Sequence, residues 1–172
     1  DRAFSRHLAY GVLRWLGALE WLAGRMMKKP LKTRDRDIQL LVLIGIFQLW
    51  KDQAAEHAAV HETAEVARKL GKPWAVGLIN AVLRRFQREQ DALLGELAQT
   101  DQQHAFPEWL LKNLQQDWPG DSWREIVAAS NHAAPLWLRL NQRHEADQTL
   151  AALNDAGFAT TRHSDAAEAV KL

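Results

Sequence analysis

The 172-residue sequence contains no cysteine. That excludes disulfides, thiolate metal sites and a cysteine nucleophile, and it agrees with a reducing compartment. Nine glycines are present, yet no two stand in Gly-x-Gly spacing. The glycine-rich strand-to-helix turn that brings backbone close to a nucleotide-type cofactor is therefore missing. The longest apolar run, Leu40 to Phe47, is far short of the roughly 18 residues a membrane span needs. Asp1-Arg2-Ala3 starts no signal peptide. These absences lead us to expect a cytoplasmic protein without membrane contact.

Apolar residues make up 47% of the chain, the share of an ordinary globular protein with length enough for a real core. The net charge of +1 hides an asymmetry. Residues 1–90 hold 16 Lys and Arg against 9 Asp and Glu, a balance of +7; residues 91–172 hold 6 against 12, a balance of −6. A basic front half is an electrostatic footprint for a polyanion. The acidic back half argues against the whole chain coating nucleic acid. The division leads us to expect two domains, 1–99 and 105–172, joined by a short polar linker.

The stretch Gly77 to Phe86 organises the front half. Ala75, Leu78, Ile79, Val82 and Phe86 share one helical face, which predicts a helix from about 73 to 98 with Pro73 in its first turn. Arg84, Arg85 and Arg88 load the following turns with positive charge. Asn80 interrupts the apolar run, either as a buried amide satisfied by a loop or as a polar contact to a ligand.

Before this helix, Phe4, Leu8, Val12, Trp15, Leu19 and Leu22 predict a single helix over 2–24. It opens already in pattern, as in a chain cut at its front. The connection from Met26 to Asp37 is rich in cations: Arg25, Lys28, Lys29, Lys32, Arg34 and Arg36 fall within twelve residues. It is either a solvated connector or a loop that meets phosphate and releases counterions. Thr33 is the expected cap of the next helix, Ile38 to Trp50, which is apolar nearly all round and so buried. A further helix over 55–70 points Val60, Ala64, Ala67 and Leu70 inward and closes on Gly71. His57 and His61 share its face, but Ala58 stands where a zincin pattern needs Glu, so no metal site is expected.

After residue 104 helices are expected from Phe106 and from Asp121 or Ser122 to about Ala133. The period then changes. Leu136, Leu138 and Leu140 alternate with Trp137, Arg139 and Asn141, which predicts a half-buried strand. A helix to Ala156 closed by Gly157 follows, then strands near 158–162 and 169–172.

"GLINAVLRRF", preceded by "DRAFSRHLAYGVLRWLGALEWL", resembles the NusB-type helical domain. "FPEWLLKNLQQDWPGDSWREIVAASNHAAPLWLRLN" is similar to the small α+β segment that follows that domain in bacterial 16S rRNA cytosine-5 methyltransferases of the Fmu/Sun type. The resemblance spans essentially the whole chain. It implies a mainly α fold, a NusB-like bundle followed by a partial α+β segment. It also implies the RNA-positioning portion of an S-adenosylmethionine-dependent methyltransferase. In that family a cysteine thiolate adds to the pyrimidine before methyl transfer. The nucleophile and cofactor turn are therefore expected in a catalytic domain beyond this chain, with no catalytic residue, cofactor or metal held here. The partners implied are 16S rRNA and that catalytic domain. Phosphate contacts are expected from Arg25, Lys28, Lys29, Lys32, Arg34, Arg36, Arg84, Arg85 and Arg88. Trp137, Arg139 and Asn141 either clamp unpaired nucleotides or, for Trp137, pack on the catalytic domain. Two other readings stay open: a non-catalytic NusB-like RNA-binding factor of the antitermination type, and a helical protein-interaction module.

Overall fold

The computed structural model describes residues 2–52, 56–132 and 134–172, with the backbone alone for Glu56 and His57. Residues 1–131 form one unit and residues 132–172 a second. The first contains α1 (Arg2–Arg14), α2 (Leu16–Met26), a 3-10 turn at Thr33–Asp35, α3 (Arg36–Trp50), α4 (Glu56–Lys69), α5 (Trp74–Leu97), a second 3-10 turn at Asp101–His104, α6 (Glu108–Asp117) and α7 (Ser122–Ser130). Among the described residues strands occur only in the second unit, as the change of period predicts. Among the described residues no helix is long and apolar enough to cross a membrane.

The α3 helix is the hub, because it is apolar on most of its circumference. It buries Ile38, Val42, Leu43, Ile46 and Phe47 against α1, α2, α4 and α5, while Leu40 stays exposed. The α5 helix completes the core with Ala75, Ile79, Val82, Leu83 and Phe86. Two glycines of the hub region allow close approach. A Cβ on Gly45 would come within 2.5 Å of Leu83 Cδ1, and one on Gly11 would overlap the Phe47 ring. Each fully buried Leu, Ile or Phe here contributes about 1.5–3 kcal/mol relative to exposure.

The single helix expected over 2–24 is two. The chain turns at Trp15, whose backbone leaves the helical range at φ −104°, ψ 16°. The Trp15 ring meets the Trp50 ring edge-on at 5.4 Å, and Lys51 Nζ sits 3.5 Å over it. The turn lets α2 pack on both α3 and α5 while α1 packs on α3. Nor does Thr33 cap α3; it begins the 3-10 turn and makes no capping bond. A distant lysine ties this corner instead. Lys72 Nζ donates to Arg34 O at 2.9 Å, Asp35 Oδ1 at 3.0 Å and Asp37 Oδ1 at 2.7 Å.

The α4 helix ends as Gly71 requires. With φ +74°, it places its own N–H on Arg68 O and the N–H of Lys72 on Ala67 O, satisfying the last carbonyls. Leu70, expected inside, is 49% exposed, because the left-handed residue that follows lifts the chain off the core. The short helices α6 and α7 share a small cluster of Leu111, Trp123 and Val127. The α7 helix stops at Ser130, three residues before the expected end.

The second unit runs β1 (Trp137–Arg139), α8 (Ala146–Asp155), β2 (Thr161–Arg162) and β3 (Ala169–Lys171). The sheet order is β1-β3-β2, with β3 antiparallel to both neighbours. The α8 crossover thus joins two strands that flank a third, a split β-α-β arrangement. Val170 and Leu140 form its buried centre with Leu138 partly covered; Leu136, expected on the same face, is 58% exposed because it precedes the paired strand.

Two predictions follow from this packing. Phe86→Ala should lower the unfolding free energy by about 3–5 kcal/mol, and Leu70→Ala by less than about 1 kcal/mol; comparable urea midpoints for the two variants would return Leu70 to the core. The second concerns pH. The Lys72 hydrogen bond holds the Asp37 carboxyl below its ordinary 3.8, and Asp37 with Asp35 holds Lys72 above its ordinary 10.5. The depressed acid contributes stability that is complete above 3.8 and fades as pH falls through its lowered folded value. The raised lysine contributes below 10.5 and fades as pH rises through its raised value. The stability gap between the parent and Lys72→Met should therefore be flat near neutral pH and narrower at about pH 3. Urea titrations with the same gap at both pH values would remove the clasp from the account.

Candidate nucleic-acid interface

A helix distributes consecutive residues about 100° apart, so adjacent arginines serve different surfaces. On α5, Ile79, Val82, Leu83 and Phe86 face the core. Arg85 projects toward the end of α2. Its Nη1 donates to Met26 O at 3.2 Å and Arg25 O at 3.4 Å, and its Nε donates to Glu89 Oε2 at 2.8 Å. It thereby occupies carbonyls that the C-terminus of α2 leaves open. Arg84 and Arg88 lie one turn apart on another face, exposed and without a partner among the described residues.

That face lines a groove of about 900 Å³ between α4 and α5. Ala58, Val60 and His61 come from α4, and Asn80, Arg84, Gln87 and Arg88 from α5. No acidic side chain lines it among the described residues. Asn80 is half-buried, and its amide has no hydrogen-bond partner among the described residues. The groove went unnoticed in the sequence although its signal is there: positions 80, 84, 87 and 88 are a single helical stripe. Grouping Arg84, Arg85 and Arg88 by adjacency concealed it.

In the connector, Lys28, Lys29, Lys32 and Arg36 are exposed and unpaired among the described residues. Arg34 lies 3.6 Å from Asp35 with its side chain 78% exposed. Arg25 is engaged internally: Nε and Nη2 donate to Glu96 Oε2 at 3.0 and 2.5 Å, and the guanidinium lies over the Trp21 ring. A smaller hollow of about 390 Å³ at the connector includes Lys28, Met27 and Leu31. The first unit therefore carries two cationic features, the connector and the groove.

In the second unit, Trp137 is 42% exposed and meets the His163 ring edge-on at 5.1 Å. Arg139 is exposed on the same strand. Asn141 lies beyond the strand, in a turn where its Oδ1 accepts the Arg143 N–H at 3.1 Å. Trp137 and Arg139 stay available together, whereas the Asn141 side chain closes its own turn. His57 lies outside the residues whose side chains are described, and with it the His57–His61 pair. Among the described residues no group of three His, Asp or Glu could hold a metal ion.

Comparison with known proteins places this geometry in context. Residues 1–88 match the NusB family. Residues 106–172 match the RsmF/B-like methyltransferase ferredoxin-like domain, consistent with the split β-α-β arrangement. The chain is 44% identical to "Ribosomal RNA small subunit methyltransferase B" of Klebsiella pneumoniae over 173 aligned residues, 100% of this chain and 40% of that protein. The protein of the same name from Erwinia tasmaniensis is 44% identical over 170 residues, covering 96% of this chain and 39% of that one. That from Escherichia coli O1:K1 is 42% identical over 173 residues. The chain thus spans about 40% of the length of these curated relatives.

Removing a residue that supports the bundle differs from removing one that only faces solvent. Arg85→Ala should lower stability by about 1 kcal/mol, since its bonds to carbonyls and Glu89 are partly screened by water. Arg84→Ala and Arg88→Ala should each change it by less than about 0.5 kcal/mol. Thermal melts in which Arg84→Ala is the most damaging of the three would reverse this assignment.

Proposed function

We propose that this chain, which belongs to the NusB family, is the RNA-recognition and positioning portion of an S-adenosylmethionine-dependent 16S rRNA (cytosine-5) methyltransferase acting in the cytoplasm. One observation carries the reading: a NusB-type helical region is followed in the same chain by a match to the RsmF/B-like ferredoxin-like domain. A stand-alone antitermination-type factor accounts for the first match and leaves the second without a purpose. The names of the relatives support rRNA as the substrate.

The residues of this chain do not fit the cofactor. Its β1-to-α8 turn, residues 140–145, has no glycine, so a side chain at every position keeps backbone away from a bound nucleoside. It has no thiolate to add to a pyrimidine. We assign methyl transfer, and the cysteine it requires, to the catalytic domain that the resemblance implies.

What this chain supplies is affinity and position. Lys28, Lys29, Lys32 and Arg36 extend from a rigid bundle, where neutralising phosphate releases counterions without ordering a core. Such contacts fix register on RNA and carry no sequence information. Trp137 and Arg139 offer a stacking platform for unpaired bases.

Binding of a 16S rRNA fragment should accordingly weaken steeply with salt. Lys28→Ala, Lys29→Ala and Lys32→Ala combined should reduce the log–log slope by about two to three units if all three engage phosphate. Lys112, paired with Glu108 at 2.6 Å, is the control, and Lys112→Ala should leave the slope unchanged. A triple variant that binds like the parent at every salt concentration would make the connector a solvated loop.

A further inference from the structure

We propose that the groove between α4 and α5 receives one unpaired nucleotide of RNA, with its phosphates on Arg84 and Arg88 and its base edge on Asn80. This rests on the RNA-binding reading above and names the form of RNA the groove accepts.

Arg84 and Arg88 are four residues apart, so their Cβ atoms lie about 5–6 Å from one another. Among the described residues neither has a partner, and no acidic side chain lines the groove. Two free guanidiniums side by side repel each other and mutually raise the local potential; an anion between them relieves that repulsion. Phosphate suits the planar donor fork.

The third group discriminates among anions. Asn80 lies one turn before Arg84 on the same stripe, half-buried, with its amide unmatched among the described residues. An amide presents a donor and an acceptor together, the pattern that pairs with a base edge. A carboxylate alone would satisfy the arginines and leave the amide oxygen without a donor. Ala58 and the buried Val60 supply an apolar wall, and the exposed His61, whose Nδ1 lies 3.7 Å from Glu62 Oε1, offers a ring on which a base can stack. The volume of about 900 Å³ lies within the roughly 300–1,000 Å³ range of sites for small organic ligands. A base reaches such a wall only when it is out of a helix, so the groove should select single strands.

The test is fluorescence anisotropy of the 172-residue chain with an unstructured oligoribonucleotide and with an RNA duplex of equal length, across a salt series. The parent should bind the single strand more tightly. Arg84→Ala combined with Arg88→Ala should weaken single-strand binding about tenfold and reduce the log–log slope by about 1.4, at roughly 0.7 per contact. Asn80→Ala should weaken it about fivefold at every salt concentration and leave the slope unaltered, the mark of an uncharged contact. Asn80→Asp, of the same shape, should be weaker still, and circular dichroism melts of each variant separate binding loss from unfolding. If the groove variants bind as the parent does while the Lys28/Lys29/Lys32 variant loses affinity, the groove proposal fails and the RNA reading stands. If neither parent nor variants bind RNA even at low salt, both fail. Equal affinity for duplex and single strand, or an acidic peptide whose binding alone depends on Arg84 and Arg88, also overturns the proposal.

Discussion

The close seam between α3 and α5 sets the surface chemistry of the first unit. Gly45 offers only a hydrogen where α5 leans in, and Leu83 fills the space a side chain would have taken. That contact fixes the rotation of α5 about its own axis. Once Ile79, Leu83 and Phe86 are inside, helical geometry leaves no freedom for the rest. Asn80, Arg84 and Arg88 must face the α4 side, and Arg85 must reach the end of α2. Sorting three neighbouring arginines into a structural one and two solvent-facing ones is thus a consequence of core packing.

Much of the fold was legible because its signals are local. The apolar spacing from Ala75 to Phe86 and Pro73 delimited a helix over 73–98, and the structure has Trp74–Leu97. Gly71 and Gly157 marked helix ends because their positive φ values, +74° and +89°, suit glycine. The alternation around Leu138 marked where strands begin among the described residues. What escaped depends on partners far along the chain. The break at Trp15 follows from its seat on Trp50, and no proline or glycine at that residue announces it. Thr33 has the right chemistry for a cap, but Lys72, remote in sequence, holds the corner instead. For the candidate interface, composition found the cations and adjacency misgrouped them. The helical period separated them only when the core face was known.

The two units differ in how firmly they can hold a functional group. The first has a continuous core from Val12 to Leu97, so side chains on α5 stand on a rigid base. The second has little more than Val170 and Leu140 fully covered, with Leu136, Trp137 and Phe158 exposed. A unit this small gains only modest stability from burial. Its contribution to any interface therefore depends on what packs against it, whereas the groove on the first unit is defined by the bundle itself.

Lys72 has an effect beyond the corner it ties. Asp35 and Asp37 lie within the connector, where they would otherwise neutralise Lys32, Arg34 and Arg36. Lys72 comes from the α4–α5 turn and engages both carboxylates, at 3.0 and 2.7 Å. It acts as a built-in counterion to the connector's acids, while Lys28, Lys29, Lys32 and Arg36 stay unpaired among the described residues and Arg34 keeps Asp35 at 3.6 Å. The field such a loop projects into solvent extends about a Debye length, some 8–10 Å at ordinary ionic strength. Over that range such a field would act on a polyanion before any contact forms, and so would raise an association rate more than it slowed release. One half-buried lysine in the turn between two helices would thus set how quickly the surface around it is found.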